Sequence, residues 1–208
     1  RLGGLHSAKV VLYSVDFHEI EGLQREGDWD AAGALLAAAA QSLQAAGADF
    51  LVICTNTMHK VADGVQATVE IPLLHLADAT AERIVAAGVE RVGLLGTRFT
   101  MEQAFYRDRL ASHGLEVLVP DSAGREAVHR IIYEELVLGE VREASRREVA
   151  DVVEDLVARG AEGVIEGCTE ITLLSLGDLL HVPRFDTTRI HADAAVAWTL
   201  GDAGATSG

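Results

Sequence analysis

Cysteine is scarce in this sequence: only Cys54 and Cys168 occur, far apart and outside any Cys-x-x-Cys motif. A disulfide framework is therefore excluded as the basis of the fold, and both thiols are expected to be reduced. Long apolar runs are also missing, since no stretch approaches the roughly 20 residues that a membrane helix needs. No secretory signal is recognisable either. These absences predict a cytoplasmic protein with no membrane partner.

Basic residues are also few. Lysine and arginine together number 17, against 32 aspartates and glutamates, and the formal net charge is −15. Such a chain has no basic patch with which to displace counterions from phosphates, so nucleic acid is excluded as a partner. Its only lysines are Lys9 and Lys60, and neither accompanies a convincing phosphate-binding loop. The eight histidines show no metal-ligand spacing. We predict neither a cofactor nor a metal.

What the sequence does contain is an alternation of apolar strands and amphipathic or alanine-rich helices, which predicts an α/β fold with a mostly parallel sheet. Strands are predicted at residues 10–15, 50–53, 71–74, 91–95, 116–119, 163–166 and 183–185. Helices are predicted at residues 28–46, 58–65, 79–87, 100–113, 126–138, 140–158 and 190–200. Residues 17–27 are predicted as a loop or short helix, and residues 203–208 as a frayed tail.

The sequence around Cys54 is nearly repeated around Cys168. Residues 47–56 read GADFLVICTN, and residues 160–170 read GAEGVIEGCTE. Each cysteine therefore follows a predicted strand and precedes a threonine and a polar residue. Because open α/β sheets bind ligands at the carboxyl edge of their strands, both thiols are expected at that edge, facing a shared cleft.

A single free cysteine is most often a small buried core residue, but the paired context favours a functional role. Backbone N–H groups that follow a strand end lower the pKa of a thiol and can bind a carboxylate. Thr97 follows another predicted strand at the same edge, where helix capping is its alternative role. His59 is the histidine nearest to a thiol in sequence, but no residue is evident that would orient it as a base.

Motifs spread over nearly the whole chain share one resemblance. They are residues 5–8 (LHSA), 14–20 (SVDFHEI), 54–60 (CTNTMHK), 95–103 (LGTRFTMEQ), 167–171 (GCTEI) and 185–188 (FDTT). They resemble the aspartate/glutamate racemase family of cofactor-independent amino-acid racemases, in particular its bacterial broad-specificity branch.

The resemblance implies two similar α/β lobes related by a pseudo-twofold axis, with the active site in the cleft between them. We expect residues 1–78 and 183–208 in the first lobe and residues 79–182 in the second. Family members also begin with a further strand, a Gly-Met-Ser-type loop and a helix, which have no counterpart in this sequence. A central strand of the first lobe is therefore expected to be missing.

The resemblance also implies the chemistry, with Cys54 and Cys168 as the two acid/base thiols that exchange the α-proton of an amino acid. The substrate-binding residues are expected to be Ser14, Thr55, Asn56, Thr57, Thr97, Thr169 and Glu170. The substrate would be aspartate, glutamate or a wider range of amino acids. Maleate isomerase, hydantoin racemase and a non-catalytic amino-acid-binding protein stay open as alternatives, and the sequence is compatible with a homodimer.

Overall fold

The computed structural model describes residues 2–201, and the predicted tail at residues 203–208 lies outside the described residues. Four strands form one sheet: β1 Arg91–Gly96, β2 Glu116–Leu118, β3 Gly163–Gly167 and β4 Arg184–Asp186. Their order is β2-β1-β3-β4, and every pair is parallel. The predicted α/β class with a parallel sheet is confirmed.

Helices precede the sheet and cover it. The α-helices of the described residues are α1 Phe17–Glu26, α2 Trp29–Ala45, α3 Ala62–Gln66, α4 Leu76–Ala86, α5 Arg98–Glu102, α6 Ala104–Ala111, α7 Ser122–Glu134, α8 Glu143–Ala158 and α9 Thr187–Thr199. Short 3-10 helices span Thr57–Val61, Leu136–Leu138, Thr169–Leu174 and Leu176–Asp178.

Helix α2 forms where the sequence predicted it, for local reasons. Alanine has the highest intrinsic helix propensity, and α2 is rich in alanine. The Asp28 carboxylate caps its first turn by accepting a hydrogen bond of 2.9 Å from the Ala31 amide. After its last turn, Gly47 adopts a left-handed φ of 90°, which allows the chain to reverse.

The predicted helix at residues 100–113 is wrong in its start and its continuity. Thr97, rather than Thr100, caps the first turn, since the Thr97 hydroxyl accepts from the Thr100 amide. Gln103 then adopts an extended conformation and separates α5 from α6. The Thr100 and Gln103 spacing resembles a capping box but does not form one.

Three predicted strands are also wrong. Residues 10–15 form no strand, and residues 50–53 and 71–74 contribute only the isolated parallel bridge between Leu51 and Leu73. A strand needs a hydrogen-bonded neighbour along its length. Residues 10–15 and 51–53 instead lie along the wall of one cavity. Each of the three segments has the apolar pattern of a strand, but none has, among the described residues, a neighbouring segment with which it forms more than one bridge.

The core lies on both sides of the sheet because successive strand residues face opposite ways. Leu95 and Val164 pack with α7 and α8 on one face, whereas Leu94 and Ile165 pack with α4 and α6 on the other. Two smaller clusters involve α1, α2 and the segment before Cys54. No helix within residues 2–201 combines the length and the apolar content needed to cross a bilayer.

The division of the chain into two lobes stays a prediction. Strand β4 pairs with β3, which joins residues 184–186 to the sheet. Helix α9 packs on α4, and its Trp198 ring also lies 5.7 Å from the ring of Phe50. The last helix therefore contacts both the sheet region and the segment that leads to Cys54.

Candidate functional site

All the predicted site residues line one cavity of about 600 Å³. They are Ser14, Cys54, Thr55, Asn56, Thr57, Thr97, Cys168, Thr169 and Glu170. These residues come from four separate stretches of the chain, so their convergence depends on the tertiary fold. The rest of the wall is largely aliphatic, and most of it comes from residues 10–15, α1, α2, residues 51–53 and the end of α7.

Cys54 is held by a tight turn rather than by a sheet. The Thr55 amide donates to the Ile53 carbonyl at 2.9 Å, which places Cys54 at the centre of the turn. The 3-10 helix Thr57–Val61 begins three residues later. Cys54 is exposed, so its thiol is accessible from the open side of the cavity.

Cys168 directly follows β3, one of the two central strands, and only 9% of it is exposed. Its thiol donates to Glu170 Oε2 at 2.9 Å, and the Thr169 hydroxyl donates to the same oxygen at 2.6 Å. Burial first, and then the charge of Glu170, raise the pKa of the Cys168 thiol well above its usual value. Cys168 is therefore protonated at neutral pH.

The residue before Cys168 has to be glycine. A Cβ at Gly167 would lie 2.5 Å from the backbone oxygen of Leu95 on the neighbouring strand β1. A contact that short does not occur between folded residues, so any side chain here would push β3 away from β1. The close approach of the two strands sets the position of Cys168.

Three threonine hydroxyls form a buried cluster beside the cavity. Thr57 Oγ1 lies 3.1 Å from Thr97 Oγ1 and 3.4 Å from Thr100 Oγ1, and the last two atoms are 3.3 Å apart. Thr57 belongs to the segment after Cys54, whereas Thr97 and Thr100 follow β1. The hydroxyl cluster thus joins the Cys54 turn to the edge of the sheet.

Asn56 makes a second connection between the same regions. Its Oδ1 accepts from the Tyr106 hydroxyl at 2.9 Å, and its Nδ2 donates to Thr187 Oγ1 at 3.0 Å. Thr187 in turn donates to the Glu166 carbonyl on β3 at 2.9 Å. Sequence reasoning missed Tyr106 and Thr187. The FDTT motif at residues 185–188, which ends β4 as CTE ends β3, was the available signal for Thr187.

Tyr133 on α7 is a further wall residue that sequence reasoning missed. Burial first, and then the neighbouring acidic groups of Cys168, Glu21 and Glu170, raise the pKa of its phenol to about 12. Tyr133 therefore stays protonated and can donate a hydrogen bond into the cavity. No motif marks it, because it lies in the last turn of an amphipathic helix, away from the cysteine repeat.

Among the described residues, the cavity wall contains no lysine, arginine or histidine. Lys60, the nearest cation in sequence, places its ammonium 3.9 Å from the centroid of the Trp29 ring. Within residues 2–201, Glu170 is the only carboxylate on the wall. Residues 2–201 also contain no group of three or more His, Cys, Asp or Glu side chains that could hold a metal ion.

Comparison of the sequence with models of known protein families identifies the family of this chain. The model for Asp/Glu/hydantoin racemases matches residues 1–195. The chain belongs to this racemase family. The predicted resemblance is therefore confirmed, and the protein is a racemase-type isomerase by family.

Two solved structures resemble this racemase-family chain over nearly its whole length. One is a candidate Asp/Glu racemase from Yersinia pestis, with 60% identity, a TM-score of 0.90, and coverage of 96% of this chain and 87% of that chain. The other is an aspartate racemase homologue from Pyrococcus horikoshii, with 34% identity, a TM-score of 0.84 and the same coverage. A broad-specificity amino-acid racemase from Bacillus subtilis is 23% identical over 77% of this chain and 69% of its own length.

Proposed function

We propose that this racemase-family chain interconverts L- and D-amino acids without a cofactor, with Cys54 and Cys168 as the two acid/base groups. The observation that carries the proposal is that both cysteines, each preceded and followed by similar sequence, line one cavity. A single base would have to move around the substrate carbon to reach its other face. Two thiols on opposite sides of the carbon need not move.

The reaction balances as two proton transfers. In one direction the Cys54 thiolate takes the α-proton, the C–H electron pair delocalises into the substrate carboxylate, and Cys168 gives its proton to the opposite face. The thiols have then exchanged roles, and the reverse direction runs from the other enantiomer. The protonated state of Cys168 at rest suits it to act as the acid in the first direction.

The substrate's charged groups have matching partners on the wall. Both donors to Glu170 use its Oε2 atom, so its Oε1 atom is available to accept from the substrate ammonium. The second Nδ2 hydrogen of Asn56 and the hydroxyls of Thr57 and Thr97 can donate to the carboxylate. Donors at that position stabilise the charge that develops when the α-proton leaves.

The substrate side chain is proposed to be uncharged. An acidic side chain would enter an aliphatic wall that already contains Glu170 and has no cation among the described residues. Placing like charges in one site costs several kcal/mol. Aspartate and glutamate are therefore expected to react with a kcat/KM about 100-fold lower than that of neutral amino acids of similar size.

The test is a panel of L- and D-amino acids in heavy water, in which proton NMR follows the loss of the Cα–H signal. Leucine, methionine and homoserine are compared with aspartate and glutamate, and the double variant Cys54→Ala/Cys168→Ala is the blank. Exchange and inversion of the neutral substrates support the proposal. If aspartate exchanges fastest, the proposal of an uncharged substrate side chain is overturned, but the proposal of racemase activity is not.

Three other outcomes overturn the racemase itself. Binding of amino acids without any exchange would show a non-catalytic binding protein. Inversion of a hydantoin without exchange of free amino acids would show a hydantoin racemase. A covalent cysteine adduct with maleate, detected by mass spectrometry, would show an isomerase of the maleate type.

A further inference from the structure

Three histidines form a cluster behind the Cys54 turn, away from the cavity wall. The ring centroid of His59 lies 4.6 Å from that of His75 and 5.8 Å from that of His191. His59 is 3% exposed and His191 is 6% exposed. None of the three lines the cavity, so none is positioned to contact a substrate.

The hydrogen bonds of His59 determine its tautomer. Its Nε2 atom lies 3.1 Å from the Leu76 amide, which can only donate, so Nε2 is unprotonated. The proton is therefore on Nδ1, which donates to the Thr55 carbonyl at 2.7 Å. Burial first, and then the neighbouring His75, lower the pKa of His59 to about 3. The ring is neutral at physiological pH and joins the Cys54 turn to the start of α4.

The other two rings connect the cluster to its surroundings. His75 Nδ1 accepts from the Ala77 amide at 3.2 Å and so caps α4. His191 on α9 lies 2.9 Å from the Leu74 carbonyl through its Nε2 atom, which is the donor because a carbonyl can only accept. Helix α9 also begins with Thr187, the partner of Asn56. The segment 55–56 is thus fixed from two sides.

We propose that His59 is a positioning residue for Cys54, holding the Thr55 carbonyl so that the turn directs the thiol towards the opposite cysteine. In the part of the chain that the structure describes, residue 54 has no sheet neighbour to fix its direction, and the bridge that precedes it is at Leu51. The effect on turnover rests on the proposed racemase function. The effect on the geometry of the turn does not.

The experiment compares three variants. His59→Phe keeps the ring and removes both hydrogen bonds. His59→Asn keeps a donor close to the Nδ1 position and tests rescue. His113→Phe is the matched control, because His113 also binds α4, through Asp78 at 3.0 Å, but does not touch the Cys54 turn.

The first readout needs no activity. Hydrogen exchange by mass spectrometry measures the amides of residues 54–57, including the Thr55 amide that closes the turn. We expect exchange about tenfold faster in His59→Phe, with partial recovery in His59→Asn and no local change in His113→Phe. Unchanged exchange at residues 54–57 in His59→Phe overturns the proposal. If His59→Phe does not fold, His59→Leu, which also removes both hydrogen bonds, takes its place, and unchanged exchange at residues 54–57 again overturns the proposal.

The second readout is racemisation. A misplacement of about 1 Å can cost roughly 100-fold in rate, so His59→Phe is expected to lose about 10- to 100-fold in kcat, with KM within about twofold of wild type. His59→Asn should regain part of the loss. An equal loss of kcat in His113→Phe at a matched melting temperature would show a general loss of rigidity around α4, which would overturn the role of His59 at the Cys54 turn. If the wild type is inactive towards all amino acids, the racemase proposal fails while the exchange readout still decides the role of His59.

Discussion

The two cysteine half-sites begin from nearly the same sequence but differ in almost every contact. Cys168 ends a strand that pairs on both sides, is largely buried, and donates to Glu170. Cys54 follows a single bridge, is exposed, and is directed by a tight turn that His59 supports. A short repeat can thus place two reactive groups at one cavity without giving them the same environment.

The difference bears on how a two-thiol mechanism would start. Burial first, and then the Glu170 carboxylate, keep Cys168 protonated, whereas no carboxylate bonds to Cys54 among the described residues. We infer that Cys168 is protonated in the resting protein. The equilibrium constant between enantiomers fixes the ratio of the two kcat/KM values, so this asymmetry can appear only in kcat and KM separately.

The largest expected effect comes from removing either thiol. Cys54→Ala and Cys168→Ala should each lower racemisation by about 1,000-fold or more, because a general acid or base contributes about 100- to 10,000-fold. Polarimetry or chiral chromatography measures this loss. Each variant should still exchange the α-proton of the one enantiomer whose base remains. Racemisation in both directions by either variant would contradict a two-base mechanism.

The next test removes the carboxylate that distinguishes the Cys168 half-site. Glu170→Gln takes away a negative charge and a charged acceptor, so the pKa of Cys168 should fall. At a pH below the pKa of Cys168, each unit by which that pKa falls raises the thiolate fraction about tenfold, and the alkylation rate rises with it. Peptide mapping after iodoacetamide treatment at pH 8 measures both cysteines in one sample.

Alkylation of Cys54 is the internal control in that experiment and should change little. Glu134→Gln, at an exposed position on α7, is the matched charge control. Faster alkylation of both cysteines, or of neither, would remove the basis for treating Glu170 as the group that makes the half-sites different.

Lowering the pH tests whether the histidine cluster behind the Cys54 turn is neutral in the folded protein. The pKa values of His59 and His75 are lowered to about 3 and about 4, mainly by burial. Around His75, the charge of Arg109 lowers the pKa further, whereas the charges of Asp78 and Asp63 oppose the shift. The unfolded chain protonates these rings below about pH 6.5, so stability is complete above that pH and falls as the pH drops towards 4. Each ring contributes a slope of up to about 1.4 kcal/mol per pH unit.

Urea unfolding at pH 7.5, 6 and 5 measures that slope. His59→Phe lacks one of the titrating groups, so its free energy of unfolding should fall less steeply between pH 6.5 and 4 than that of the wild type. If the free energies of unfolding of the two proteins fall in parallel with pH, His59 does not gain a proton on unfolding. The neutral tautomer inferred from its hydrogen bonds would then be wrong.

The smallest expected effect concerns the connection between Asn56 and the sheet region. Tyr106→Phe removes the hydroxyl that donates to Asn56 Oδ1 and leaves a buried acceptor unpaired. Such a loss costs about 1–3 kcal/mol of unfolding free energy. Tyr133→Phe is the control, because Tyr133 lines the cavity and no hydrogen bond of its hydroxyl is seen within residues 2–201, so the loss should cost less than about 0.5 kcal/mol. Equal losses in the two variants would argue against a special role for this contact.

Much of the sheet, and the meeting of both cysteines at one cavity, could be predicted because the signals were local. The strand patterns of β1 to β4 were each bounded by glycine or proline, and the repeat marked both cysteines. Pairing was not local: residues 10–15 have a strand-like pattern but no ladder partner, and residues 50–53 keep only one bridge. The histidine cluster joins residues 59, 75 and 191, which no spacing rule connects.

The three neighbouring hydroxyls of Thr57, Thr97 and Thr100 have a consequence for symmetry. Each hydroxyl has one hydrogen, which it can give to a neighbouring hydroxyl or to a ligand by rotating about one C–O bond, so the three can redistribute their hydrogen bonds while every heavy atom stays still. A rigid amide or guanidinium has no such freedom. Mirror-image ligands present their polar atoms in opposite order. Because the hydroxyls can rotate, the same three side chains can hydrogen-bond to either enantiomer without any movement of the surrounding protein.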